Sequence, residues 1–199
     1  MNLIQKLALV ACLALTGEAR PNPSPSSLSG REAAIIVEPT MYQIFPISPT
    51  QFAPPVTQLE VLRAGGVSVL ENIVIFEGIP SDAQTCILRW EQAAKPERTE
   101  FVVARNGLLA AQQLSGLPEG DITWANMLPI VEEAIEQRRP LLHPETTGWV
   151  AIETQQVHIA GYVDCAETMI FKIQADDRDT DGIVYLEQDA HNGLTLEIH

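Results

Sequence analysis

Long apolar runs are the first thing this sequence lacks. Beyond residue 15 nothing approaches the roughly 20 apolar residues that a membrane-crossing helix needs, so no membrane insertion is expected. Positive charge is also scarce: 12 Lys and Arg face 26 Asp and Glu, a formal net charge of −14. A chain this acidic repels phosphate backbones and anionic lipid, which argues against nucleic acid and membrane surfaces as partners. The signatures of common catalytic machinery are missing too. There is no HExxH, no GxSxG elbow and no phosphate-binding GxxxxGK loop, and His143, His158, His191 and His199 are scattered with no pair at i and i+4. A zinc site therefore has no support, and the expectation is a protein without catalytic activity.

What is present begins with an address. The opening MNLIQKLALVACLALTGEAR carries Lys6, an apolar run from Leu7 to Leu15, and small residues Gly17 and Ala19 ahead of Arg20. That is the pattern of a secretory signal peptide over residues 1–19. The chain is expected to be exported, to the extracellular medium or the cell wall. A rival parse takes LVAC, Leu9 to Cys12, as a lipobox, but the apolar run continues past Cys12 into LAL, which a lipobox does not need. Residues 20–30, RPNPSPSSLSG, alternate Pro and Ser with almost nothing apolar and read as a disordered lead-in. Residues 31–199 suit a single domain with its own core.

Cys12 leaves with the leader, and Cys86 and Cys165 remain. An even pair in an exported chain is most simply a disulfide. In TCILRWEQ, Cys86, Leu88 and Trp90 share one face and Ile87, Arg89 and Glu91 the other, the period-2 pattern of a strand with one buried side. Similar short runs recur along the chain: AAIIVEP, MYQIFP, TQLEVL, NIVIFEGIP, EFVVARN, LLAAQQL, then TGWVAIET, VHIAGYVDC, MIFKIQA, GIVYLEQD and LTLEIH. Pro and Gly break them, Gly65-Gly66 as a tight turn. One helix is expected within DITWANMLPIVEEAIEQRRP. Pro129 is placed at or just before its first turn, Ile130, Val131, Ala134 and Ile135 lie at helical spacing, and Pro140 stops it. The fold class is all-β, an antiparallel β-sandwich of jelly-roll type with one short helix.

Two sets of residues are candidates for chemistry. In ADDRDTDGIVYLEQD, Asp177, Asp179 and Asp181 alternate ahead of Gly182 like the start of an EF-hand. Counting from Asp177, however, position 12 is Gln188, and the flanking segments read as strands. Two readings are left: a hairpin turn joining two late strands, or a structural calcium held by the three carboxylates. No other cofactor is implied. The aromatics are few, 6% of the chain. Trp90 alternates with Cys86 and belongs in the core. Trp124, in a loop ahead of Pro129, and Trp149, opening a strand after TTG, are candidates to stack on a ligand, although packing is the commoner fate of a tryptophan.

Four stretches taken in order resemble a fungal family: FEGIPSDAQTCILRWE, ITWANMLP, YVDCAETMIFKI and GIVYLEQDAHNGLTLEI, the last similar to that family's final hairpin. Together they resemble the But-two C-terminal domain, named for a binder of an ubiquitin-like activating enzyme, from Val37 to His199. The sequence departs from the pattern after Cys165, where Ala166-Glu167-Thr168 stands in place of the family's usual Pro-Gly. The resemblance implies a β-rich, often exported domain with Cys86 and Cys165 paired and no established catalysis. The activating-enzyme interaction does not carry over to a chain with a signal peptide. The expected function is therefore a secreted, non-catalytic binding or cell-surface protein whose partner is an extracellular glycan or protein. The alternatives are a wall-polysaccharide hydrolase using a carboxylate pair and a purely structural cell-surface protein.

Overall fold

A computed structural model describes residues 33–176 and 181–199. The expected signal peptide and lead-in, Cys12, Asp177 and Asp179 lie outside the described residues. In chain order the elements are β1 (Ala34–Ile36), β2 (Thr40–Ile44), β3 (Gln58–Ala64), β4 (Val67–Glu77), β5 (Thr85–Gln92), β6 (Phe101–Arg105), β7 (Leu109–Leu114), α1 (Trp124–Glu136), β8 (Leu141–Leu142), β9 (Gln156–Asp164), β10 (Thr168–Ala175), β11 (Gly182–Glu187) and β12 (Gly193–Ile198). All pairings between these strands are antiparallel. A small sheet runs β1-β12-β5-β9; a large one runs β6-β11-β3-β4-β10-β7-β8, with β2 also paired to β4. The chain changes sheet after β1, β4, β5, β8, β9 and β11, which is the crossing pattern of a sandwich and matches the expected class.

Period-2 alternation decides what each strand buries. Cys86, Leu88 and Trp90 of β5 and Leu194, Leu196 and Ile198 of β12 face inward from the small sheet. Val74 and Phe76 of β4 and Met169, Phe171 and Ile173 of β10 meet them from the large one. Burying each such side chain contributes about 1.5–3 kcal/mol. The disulfide forms as expected: Cys86 joins Cys165 across a separation of 79 residues, with Cα atoms 5.1 Å apart. Cys86 lies in β5 of the small sheet, opposite Val163, and Cys165 directly follows β9, its amide donating to the Gln84 carbonyl at 3.1 Å. The bond thus pins the exit of β9 to β5 at the point where the chain crosses to β10. By restraining the unfolded chain it stabilises the fold by about 4 kcal/mol.

The central strands are buried on their other side as well. Ile73 and Ile75 of β4 and Ile170 of β10 pack outward against Met127, Val131 and Ala134 of α1. The domain is therefore three layers deep there, helix on sheet on sheet. The helix starts earlier than the sequence suggested. Thr123, extended at φ −121°, caps it by accepting from the Asn126 amide at 3.3 Å, so Trp124 is its first residue and Pro129 lies inside it. Proline there removes one ladder hydrogen bond from the second turn. The cap and the bond from the Ala125 amide to the Pro49 carbonyl, 2.8 Å, hold the first turn instead.

Three further expectations are corrected. β10 and β11 do not form a hairpin. They are separated in the large sheet by β3 and β4. The final β11–β12 segment is not a hairpin either, because β11 joins the large sheet and β12 the small one. Trp149 does not open a strand. Gly148 turns the chain at φ 78°, Trp149–Ala151 form a 3-10 turn, and β9 begins only at Gln156.

Candidate functional site

The residues singled out from the sequence are mostly engaged in structure. Asp181 closes a turn: its two carboxylate oxygens accept from the amides of Gly65 and Gly66 at 2.8 and 2.9 Å, in the tight turn between β3 and β4 where both glycines have positive φ. The Gly66 and Gly65 amides hold its carboxyl below the usual aspartate value. Among the described residues no group of three His, Cys, Asp or Glu converges. Trp90 is core, as expected. The Trp149 ring is half-buried, packed against the core 4.7 Å from Trp90 and edge-on to His158 at 5.9 Å. The well-exposed aromatics are Tyr162 on β9 and Phe52 in the loop before β3, which do not make a strip. Glu91 and Glu197 stand together on the outer face of the small sheet. Arg89 clamps both, Glu91 at 2.6 Å. Burial pushes the Glu197 carboxyl up, but hydrogen bonds from His199 and Arg89 outweigh it and hold it ionised.

Trp124 leads to a different place. Its ring covers the ammonium of Lys172, 5.1 Å from the ring centroid. Lys172 is on the helix-facing side of β10 and only 4% exposed. Its Nζ donates to Glu71 Oε2 of β4 at 2.9 Å and to Gln174 Oε1. Glu71 is itself 2% exposed, so a complete ion pair is buried in this layer beside Gln112 and Gln174. Such a pair gives little net stability, since desolvating both charges offsets their attraction, and apolar replacements often do as well or better.

Beside this pair the layer opens. Between the C-terminal half of α1 and the rows of β10, β7 and β8 runs a groove of about 300 Å³. Lys172 stands opposite Gln112, and Gln112 opposite Leu141, so three strands contribute one continuous row to its floor. Val131 and Ile135 form the helical wall, and Arg138 and Arg139 stand at the mouth. The Gln112 amide is committed, reaching the carbonyls of Gln113, Arg139 and Pro140 at 3.1–3.2 Å.

The helix ends in a costly way. The Arg138 amide donates to the Ile135 carbonyl at 3.0 Å and the Arg139 amide to the Ala134 carbonyl at 2.9 Å, the two bonds of a Schellman motif. The position between them is left-handed and usually glycine; here it is Arg138, at φ 54°. Sequence reasoning missed this site. The available signals were a lone lysine in MIFKIQA and a lone glutamate in VLENIVIF, each interrupting an apolar strand. No family model, curated protein or solved structure matches the chain.

Proposed function

We propose that the protein is an exported, non-catalytic binding module that takes its ligand in the groove between α1 and the large sheet. The observation that carries this reading is the groove's construction. A sealed Lys172–Glu71 pair and an arginine in a glycine conformation are both poor choices for stability, and both border the same opening. Backbone strain and buried charge concentrate where a site must be shaped. Export is supported by the disulfide, since such bonds persist in oxidising compartments, and among the described residues no helix is long and apolar enough to cross a membrane. The But-two resemblance points the same way.

Binding is favoured over hydrolysis because a glycosidase needs a carboxylic acid kept protonated. Among the described residues the displaced carboxyls, Glu153, Asp181, Asp189 and Glu197, all move the other way, towards ionisation. A flat glycan platform is not favoured, because the exposed aromatics are apart. The test is native mass spectrometry of the protein taken from culture medium, beside a Leu141→Trp variant that fills the groove from a half-exposed position. The wild type should carry a retained small molecule that the variant lacks. Equal spectra together with release of reducing ends from wall polysaccharide would defeat the reading.

A further inference from the structure

We infer that the groove receives an amphipathic anion, a short apolar body ending in a carboxylate or a chemically similar acidic head. This rests on the groove being the ligand site. Three of the chain's twelve Lys and Arg residues line it and no Asp or Glu does, an inversion of charge in a chain of net −14. Arg138 and Arg139 supply the charged donors that can meet a ligand. The three donors of Lys172 are taken up by Glu71, Gln174 and the Trp124 face. Among the described residues no hydrogen bond or ion pair engages the Arg138 guanidinium, and Arg139 uses only its Nε, on Gln137 at 3.2 Å. A guanidinium fork matches the geometry of a carboxylate, and two consecutive arginines line this groove.

The rest of the lining specifies the body. Ala110, Val131, Ile135 and Leu141 are apolar, and Ile135 and Leu141 are 61% and 48% exposed, waiting to be covered. No aromatic ring lines the groove for a sugar to stack on, so a neutral polyol finds no platform. At about 300 Å³ the space is at the small end of ligand pockets, which calls for a short chain. The left-handed Arg138 fits the same purpose. Glycine at that position would relieve the backbone and leave the mouth without one of its two charges.

The experiment titrates the isotopically labelled protein with octanoate, octanol and acetate, following the Gln112 side-chain amide and the backbone amides of Ile135 and Leu141 by NMR. Octanoate should move all three signals with an affinity at least about tenfold above octanol and acetate, weakening as salt is added. Arg138→Gln and Arg139→Gln should each weaken octanoate by about tenfold, the loss of one charge-assisted interaction, without changing the melting temperature by more than a few degrees. If octanol binds as well as octanoate, or the arginine variants bind unchanged, the anion is overturned while the groove stands. If none of the three probes moves the groove signals, the groove itself is overturned as the ligand site.

Discussion

On its inner side the large sheet meets the small one through Val74, Phe76, Met169, Phe171 and Ile173. On its outer side it meets α1 through Ile73, Ile75 and Ile170, but the same layer contains Lys172 and Glu71 and opens into a groove. The inner interface is closed, and a disulfide pins one of its sheets. The outer one is half covered, charged and strained at Arg138. The same two strands, β4 and β10, serve both sides, so the contrast does not come from the backbone. It comes from which residues occupy alternate positions, and it separates a surface built for stability from one built to be met by something else.

Substitutions can break that contrast. Glu71→Leu alone leaves the Lys172 charge buried without its partner and should destabilise the protein by about 3–5 kcal/mol, read from denaturant unfolding. Adding Lys172→Met should recover the loss and match or exceed wild-type stability by about 1–4 kcal/mol. A double variant as unstable as the single one would mean that the pair belongs to the structural core after all. On the inner side, Cys86→Ala with Cys165→Ala should cost about 4 kcal/mol. The NMR signals of β5 and β9 should be the most perturbed and those of the groove the least.

A smaller effect tests the turn between β3 and β4. The Asp181 carboxyl is held below its ordinary value of 3.8 by the Gly66 and Gly65 amides. Because the folded value is the lower one, its contribution is present at pH above about 3.8 and is lost as the pH falls through the folded value. Asp181→Asn should therefore melt below wild type at neutral pH, with the gap closing in acid. A gap that is constant with pH would show that the charge on Asp181 does not matter to the turn.

Much of the fold was readable from period-2 runs. The alternation in TCILRWEQ put Cys86, Leu88 and Trp90 inside, and they are inside. Strand partners were not readable, because MIFKIQA and GIVYLEQD look like a hairpin whether or not β3 and β4 stand between them. The two-residue β8 was too short to leave a pattern. Pro129 misplaced the helix start because the Thr123 cap and the docking of Ala125 on Pro49 hold the first turn independently of the missing ladder bond. The groove was out of reach for a related reason. A lone lysine and a lone glutamate 101 positions apart become a pair only once β10 lies against β4. Trp124, singled out in a loop as a candidate to stack on a ligand, sits beside the site as the cover over Lys172.

The central claim, that the outer layer gives up stability for a ligand, is tested most directly at Arg138. Replacing it with glycine should raise stability by about 1 kcal/mol, since the left-handed position no longer opposes a side chain, and should weaken octanoate binding by about tenfold. Measured together, a higher melting temperature with lower affinity is the expected result. A variant that melts lower than wild type, or that binds octanoate as tightly, would contradict the claim.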